Sequence, residues 1–228
     1  MDRKYARGIL KETEENYNLV AEQFSKTRFN VWEEMKFLID YAKENDKVLD
    51  LGCGNGRLYP LLRQKGAEYH GVDFSSKLIE IAMNKYKEAD FRVANALNLP
   101  FSSGFFNIVY SFAVFHHIPS KGLRIESLKE ARRVLKEKGL LILTVWNLFP
   151  QKGIKMNILK NFFKKLFFLS ELDQRDFYFS FFGTAKRYIH LFTKRELRML
   201  LIESGFKVKE TGVIKRNKES NFYIVAEK

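Results

Sequence analysis

Three glycines spaced two residues apart follow an apolar run at Val48–Leu51, and no other feature of the sequence constrains the fold as strongly. They are Gly52, Gly54 and Gly56. A strand that leaves a parallel sheet must turn sharply into a helix here, and the backbone must pass so close to a ligand that a side chain would block it. The run therefore predicts the strand, turn and helix that open a nucleotide-cofactor site.

Two acidic residues accompany this turn. Asp50 precedes the first glycine by two residues, and Asp73 follows the next apolar run. A carboxylate at the position of Asp73 can accept hydrogen bonds from both ribose hydroxyls of a nucleotide. A dinucleotide site requires the spacing G-x-G-x-x-G, whereas Arg57 occupies the place of the last glycine in this chain. The spacing thus disfavours a nicotinamide or flavin cofactor.

Apolar runs alternate with helical patterns along most of the chain, which is typical of βαβ units. The predicted strands are Lys47–Leu51, Tyr69–Val72, Asp90–Ala94, Asn107–Ser111, Leu140–Val145, Lys207–Ile214 and Asn221–Ala226. The predicted helices are Tyr17–Phe24, Val31–Ala42, Arg57–Gln64, Ser76–Lys87, Gly122–Leu135 and Thr193–Glu203. This order predicts a doubly wound, Rossmann-like α/β fold, in which a seven-stranded, mostly parallel sheet ends in an antiparallel hairpin. At 228 residues, the chain suits a single domain over 1–228.

The segment from about 147 to 187 departs from this alternation and is predicted to be a helical insertion rich in Phe and Lys. Nine of the 22 phenylalanines fall between Phe149 and Phe182. Ile154, Ile158, Phe162 and Leu166 recur every four residues, which predicts an amphipathic helix. Such a helix could cap the core beside the site, face RNA, dock a partner subunit or lie on a membrane surface. We favour the cap helix, followed by contact with RNA or a partner.

Charge and cysteine content limit the class of protein. The formal net charge is +13, which favours an anionic partner such as nucleic acid. The amino terminus is charged and lacks the apolar core of a signal peptide, so we expect a cytoplasmic protein without stable membrane association. Cys53, the single cysteine, lies inside the glycine turn. We therefore expect neither a disulfide framework nor a metal site.

The combination of Asp50 with G-x-G-x-G resembles motif I of the class I methyltransferases that use S-adenosylmethionine. In these enzymes the acidic residue and the turn hold the amino-acid end of the cofactor, the later acidic residue holds its ribose, and a loop like Asn95–Phe101 frames its adenine. Asn95 can hydrogen-bond the exocyclic amine. The resemblance implies the following cofactor-binding residues: Asp50, Gly52, Cys53, Gly54, Asn55, Gly56, Asp73, Phe74, Asn95, Ala96, Leu97 and Ser111.

Further motifs resemble the tRNA methyltransferases that esterify 5-carboxymethyluridine at the wobble position. They are Thr27-Arg28, His116-His117 and Arg187-Tyr188-x-His190-x-Phe192. The resemblance implies that Arg28, Arg187 and His116 orient the carboxylate and phosphates of tRNA. It also implies a possible small activator subunit. Structural packing of one histidine and exposure of the other is an equally weighted alternative for the His pair.

Two other functions stay open at this point. A small-molecule methyltransferase of the quinone or lipid type has a similar motif I and a similar Leu-Pro-Phe loop, and the insertion would then face an apolar tail. A non-catalytic cofactor-binding scaffold is the second alternative. The fourth strand is not followed by the Asn/Asp-Pro-Pro-aromatic sequence common in enzymes that methylate exocyclic base amines. With Cys53 in the glycine turn, covalent addition of a cysteine to a pyrimidine also lacks a nucleophile.

Overall fold

The central sheet contains the seven predicted strands. The computed structural model describes residues 1–167 and 169–228. Its strands are β1 (Lys47–Leu51), β2 (Glu68–Asp73), β3 (Asp90–Val93), β4 (Phe106–Phe112), β5 (Leu135–Trp146), β6 (Asp176–Phe181), β7 (Ala185–His190), β8 (Lys207–Arg216) and β9 (Glu219–Glu227). The sheet order is β3-β2-β1-β4-β5-β9-β8, and β9 is antiparallel to both of its neighbours. The doubly wound, mostly parallel α/β fold with a terminal hairpin is therefore confirmed.

The strand order places the functional loops. Strand β1 pairs in parallel with both β2 and β4, so the chain winds one way from β1 to β3 and the other way from β4 to β5. Ligands of such sheets bind in the crevice where the order reverses, beyond the carboxyl ends of the strands. The glycine turn after β1 and the loop after β4 lie side by side at this crevice.

Helices cover both faces of the sheet. They are α1 (Arg3–Leu19), α2 (Ala21–Thr27), α3 (Tyr59–Gln64), α4 (Ser76–Lys85), α5 (Lys121–Val134), α6 (Ile154–Leu166) and α7 (Lys194–Glu203), with a 3-10 segment at Glu33–Tyr41. The side chains of Ser75, Ser120 and Thr193 cap α4, α5 and α7 by accepting backbone hydrogen bonds. Within the two described ranges, no helix is both long and apolar enough to cross a membrane.

Alternate residues of the inner strands enter two different cores. Val109 and Leu141 belong to the core on one side of the sheet, whereas Ile108 and Ile142 belong to the core on the other. Since successive side chains of a strand point to opposite faces, a strand buried on both sides reads as a continuous apolar run. This is why these strands could be located from the sequence.

The amino-terminal region differs from the prediction. The helix predicted at Tyr17–Phe24 is interrupted at Val20, and the preceding helix α1 begins at Arg3. Helix α1 buries Ala6, Ile9, Thr13 and Tyr17. This stripe is narrow and half of it is small or polar, so its period is hard to detect in the sequence. The segment predicted as a helix at Val31–Ala42 is a 3-10 segment, which apolar spacing does not distinguish from an α-helix.

The insertion contains the predicted amphipathic helix, α6, but its second half is a β-hairpin formed by β6 and β7. A buried polar network anchors this hairpin to α5. Asp176 is almost fully buried and accepts a hydrogen bond from the Tyr188 hydroxyl at 2.7 Å. The Nδ1 atom of His190 lies 2.6 Å from the same carboxylate, and the Arg124 guanidinium lies 3.7 Å away. The hairpin is thereby held at a fixed place over the crevice.

Candidate active site

The glycine turn requires glycine for two reasons, a positive φ and a lack of space for a side chain. All three have positive φ: 80° at Gly52, 55° at Gly54 and 75° at Gly56. A Cβ on Gly52 would lie 2.3 Å from Cγ2 of Val114, in the loop after β4. A Cβ on Gly56 would lie 2.7 Å from the Phe91 ring, whereas one on Gly54 would meet its nearest atom at 3.4 Å. Close packing against neighbouring side chains therefore adds to the expected closeness of a ligand.

Replacing Gly52 by Ala tests this packing. We expect G52A to lower the free energy of unfolding by about 2–5 kcal/mol, since the positive φ and the contact with Val114 are both unfavourable. The control is G104A, because Gly104 has φ +67° and nothing within 4 Å of an added Cβ. Urea unfolding of both variants isolates the cost of the contact. Equal destabilisation would show that Val114 moves aside without cost.

Asp73 organises the turn at the carboxyl end of β2. Its two carboxylate oxygens accept hydrogen bonds from the backbone N–H groups of Gly54 and Ser75, each at 2.9 Å. Burial raises the pKa of Asp73 to about 6, although these hydrogen bonds oppose the increase. Each oxygen keeps a second lone pair for a ligand. Phe74, the next residue, packs its ring 5.7 Å from that of Tyr17.

Asp50 lies beneath the turn. The Tyr69 hydroxyl donates a hydrogen bond to its Oδ2 atom at 2.9 Å. Burial raises the pKa of Asp50 to about 7, against the opposing effects of the Tyr69 hydrogen bond and the Arg57 charge. Burial also raises the pKa of the neighbouring Cys53 thiol well above its ordinary value. A protonated, buried thiol acts as a packing group.

Asn55 connects the turn to the amino-terminal helices. Its Nδ2 atom donates to the Ser25 hydroxyl at 3.1 Å and to the Arg28 carbonyl at 3.0 Å. Its Oδ1 atom is buried and has no protein partner within the described residues. Asn55 therefore holds the end of α2, and with it Arg28, over the glycine turn.

The predicted adenine loop lies at the same edge of the sheet. The Oδ1 atom of Asn95 accepts a hydrogen bond from the Leu97 N–H at 3.0 Å, which closes a short turn after β3. Asn95 itself is exposed, whereas Ala96 and Leu97 are partly buried. Ser111 is buried near the end of β4. The carboxyl ends of β1 to β4 thus bring the predicted cofactor residues to one crevice.

Both members of the His pair are buried, so the alternative in which one is exposed does not describe this protein. His117 Nδ1 lies 2.8 Å from the Tyr188 carbonyl and must donate to it. Its Nε2 atom therefore accepts from the Tyr17 hydroxyl, 2.9 Å away. Burial lowers the pKa of His117 to about 4, which keeps this neutral form. His117 is a structural link between α1 and β7.

His116 has unused hydrogen-bonding capacity. Its ring is fully buried, with the Trp146 ring 4.8 Å away. The Nδ1 atom accepts a long hydrogen bond of 3.4 Å from the Trp146 N–H, and no described residue pairs with Nε2. Burial lowers the pKa of His116 well below its ordinary value. The ring is neutral at pH 7 and, since Nδ1 accepts, it carries its proton on Nε2, a buried donor without a partner among the described residues.

Arg187 projects from β7 between two aromatic rings. The centre of its guanidinium lies 4.5 Å from the Trp146 ring and 4.6 Å from the Phe181 ring. Its Nε atom is buried without an acceptor in the described part of the chain. The two rings fix the plane of the guanidinium by cation–π contact. The group is therefore oriented in advance and has donors to offer.

Two more arginines carry positive charge into the same region. Burial, together with the nearby charge of Arg28, lowers the pKa of both Arg57 and Arg187. Carboxylates pair with other arginines of the chain, among them Arg3, Arg63, Arg92, Arg124, Arg133 and Arg175. Among the described residues, no acidic side chain forms an ion pair with Arg28, Arg57 or Arg187. The crevice therefore combines buried carboxylates for a cofactor with cations for an anionic substrate.

Tyr17, Trp146 and Phe181 contribute to the site but were not predicted from the sequence. Trp146 ends β5, so its position beyond a carboxyl end was a usable signal. Tyr17 and Phe181 belong to the elements whose structure was not predicted correctly. Their rings lie 4.9 Å apart, with Phe181 packed on Arg187 and the Tyr17 hydroxyl bonded to His117.

The residues present fit S-adenosylmethionine. This cofactor has an amino-acid end with an ammonium and a carboxylate, a ribose with two hydroxyls, and an adenine. Asp50 and the glycine turn would hold the amino-acid end, Asp73 would accept from the ribose, and the Asn95–Leu97 loop would border the adenine. The raised pKa values of Asp50 and Asp73 show that burial outweighs the hydrogen bonds to both carboxylates and the Arg57 charge near Asp50.

Comparisons with known proteins agree with this geometry. Residues 49–143 match the family model described as "Methyltransferase domain". The tRNA (carboxymethyluridine(34)-5-O)-methyltransferase of Arabidopsis thaliana is 35% identical over 130 residues, which are 57% of this chain and 31% of that protein. This chain therefore spans about a third of that relative's length. A putative methyltransferase of Encephalitozoon cuniculi is 33% identical over 93% of each chain.

Solved structures share the fold. A methyltransferase of Methanosarcina mazei matches with a TM-score of 0.75 and 25% identity, over 87% of this chain and 98% of that chain. A putative methyltransferase of Haloferax volcanii, solved in complex with the Trm112 methyltransferase activator, matches with a TM-score of 0.68 and 18% identity, over 94% and 96%. Because a relative matched over nearly all of both chains agrees with the family model and with the crevice, the chain belongs to the class I S-adenosylmethionine-dependent methyltransferases.

Proposed function

We propose that the methyl acceptor is the carboxylate of 5-carboxymethyluridine at the wobble position of tRNA. The observation that carries this proposal is the group of arginines beside the cofactor crevice, Arg28, Arg57 and Arg187, which form no ion pair with an acidic side chain in the described ranges. Cations without partners at this place favour an anionic acceptor. The name of the Arabidopsis relative, with its partial coverage, supports the same substrate.

The chemistry needs little beyond alignment. S-adenosylmethionine supplies an electrophilic methyl group on a sulfonium, and its transfer requires an attacking atom in line with the breaking bond. A carboxylate is already ionised at pH 7, so no residue has to remove a proton. Arg187, held flat between two rings, would form a two-point contact with this carboxylate. Arg28, held by Asn55, would contact the carboxylate or a neighbouring phosphate.

His116 is proposed as a positioning group and not as a base. Its neutral ring lies against Trp146, which also packs on Arg187. The unpaired Nε2 atom would bond to the bound nucleotide or to a water molecule beside it. A positioning role suits a carboxylate acceptor, from which no proton has to be removed.

The net charge, the location and the partner subunit are proposed to match a tRNA substrate. The net charge of +13 favours attraction to tRNA over a long range. A cytoplasmic location and a small activator subunit are part of the same proposal. The Haloferax neighbour shares its fold with this chain, and its complex with an activator is the reason to include such a subunit in the assay.

Nucleoside mass spectrometry tests the substrate. Purified protein, with and without an activator subunit, is incubated with S-adenosylmethionine and tRNA that contains 5-carboxymethyluridine. We expect the modified uridine to gain one methyl group, and mild alkali to remove it, because the product is an ester. The rate should stay nearly constant above pH 7, since the nucleophile is ionised throughout this range.

Other outcomes would contradict the proposal. An alkali-stable methyl group would place the reaction on a ring atom or a ribose. Methylation in a lipid extract, with none in tRNA, would indicate the small-molecule alternative. Cofactor binding without transfer to either substrate would indicate the scaffold.

A further inference from the structure

The outward face of α6 is apolar, which is unusual for a surface helix. The helix contacts the rest of the protein through Ile154 and Ile158, which pack near Trp146, and through an Asn161 hydrogen bond to the Asp176 carbonyl. The large apolar side chains that do not face the protein are 45–74% exposed, and they are Met156, Leu159, Phe162, Phe163, Leu166, Phe167 and Leu169. Contiguous exposed apolar groups of this kind mark an interaction surface.

Lysines border this apolar face. Residues 151–170 contain five lysines, no arginine and no acidic residue. At about 100° per residue, Leu159, Phe163 and Phe167 form an arc on the outward side of the helix. Lys155 lies at one margin of this arc, and Lys160 and Lys164 lie at the other. All three lysines are exposed, whereas Lys165 pairs with Asp173 on the side towards the protein. Any partner must therefore be apolar at its centre and anionic around it.

This pattern selects among the possible partners. Two copies of α6 placed face to face would bring six bordering lysines together, three from each copy, without an acidic residue of the helix, so self-association is disfavoured. RNA would satisfy the lysines, and its bases could stack on the phenylalanines. However, leucine and methionine are not stacking groups, and the arginines typical of RNA contacts are absent from this segment. An anionic lipid surface accommodates both the aliphatic side chains and the lysine border.

We propose that α6 is an interfacial helix that binds anionic lipid membranes reversibly, with Met156, Leu159, Phe163, Leu166 and Phe167 entering the headgroup region. This proposal goes beyond the methyl acceptor and does not depend on it. It departs from the expectation, drawn from the sequence, that the protein lacks stable membrane association. Helix α6 does not span the bilayer, and its lysines make the binding sensitive to salt.

Vesicle co-sedimentation of the full chain tests the proposal. We expect binding to phosphatidylcholine vesicles that contain about 30% phosphatidylglycerol, and at least tenfold weaker binding to phosphatidylcholine alone, since each lysine near an anionic surface contributes about fivefold. The paired variant L159S/F163S should lose at least tenfold in affinity. Its matched control is M199S/I202S, because Met199 and Ile202 are similarly exposed on α7. The control should bind as the wild type does.

A second pair of variants tests the charge. K155Q/K160Q/K164Q should weaken binding by at least tenfold, whereas K4Q/K43Q/K218Q removes three exposed lysines outside α6 and should have a much smaller effect. Unchanged affinity for S-adenosylmethionine in every variant shows that the fold is intact. The proposal fails if the wild type does not bind anionic vesicles, or if L159S/F163S binds them as the wild type does. Loss of tRNA binding in the α6 variants, without vesicle binding by the wild type, would assign the surface to RNA.

Discussion

The conservative substitution R187K should reduce kcat/KM for methylation of carboxymethyluridine in tRNA by roughly 10- to 100-fold. A lysine keeps the charge but cannot form the planar two-point contact with a carboxylate. It would also lose the stacked position between Trp146 and Phe181, which now fixes the guanidinium. The effect should appear in methyl transfer and not in cofactor affinity, because the predicted cofactor contacts come from other elements.

Steady-state kinetics and calorimetry separate these two effects. The matched control is R198K, because Arg198 is an exposed residue of α7. It should leave both kcat/KM and cofactor affinity unchanged. If R187K methylates tRNA at the wild-type rate, the carboxylate is not held by Arg187 and the proposed geometry is wrong. If R187K instead weakens cofactor binding, Arg187 belongs to the cofactor site.

The sequence was sufficient for the part of the fold that is buried on both faces. Strands β1, β4 and β5 carry long apolar runs, and the serine and threonine caps of α4, α5 and α7 mark where these helices begin. The cofactor crevice could be located because Asp50, the glycines and Asp73 lie at strand ends. Each of these features depends on neighbouring residues and on the order of strands and helices along the chain.

Other features depend on contacts between distant parts of the chain. Nothing near Gly52 in the sequence indicates that Val114 limits the space for its Cβ. The hairpin β6–β7 is stabilised by Asp176, which pairs with Arg124 and His190. Arg124 belongs to α5, far away in the sequence, and His190 belongs to the opposite strand of the hairpin. The hydroxyl of Tyr17 is held at the crevice by His117, about a hundred residues along the chain. Propensity and periodicity carry no information about such contacts.

The second large effect concerns cofactor affinity, which should increase with pH. Burial raises the pKa of Asp50 to about 7 and that of Asp73 to about 6 in the protein without ligand. Both carboxylates are therefore largely protonated at pH 5.5 and ionised at pH 8. Binding of a cationic ammonium and of ribose hydroxyls favours the ionised forms, so binding must release these protons at low pH.

We expect the dissociation constant for S-adenosylmethionine to be roughly a hundredfold lower at pH 8 than at pH 5.5. Asp50 contributes the larger part of this change because its pKa is higher. Isothermal titration across this range measures the change.

The variant D50N should bind more weakly at pH 8 and show a much shallower dependence of affinity on pH, since only Asp73 then titrates. Burial keeps the pKa of His117 near 4, and the Cys53 thiol and the Tyr69 hydroxyl have pKa values raised well above their ordinary ones, so these neighbours do not titrate in this range. A wild-type affinity that is independent of pH would show that the cofactor does not depend on these carboxylates, and the assignment of Asp50 and Asp73 would have to be abandoned.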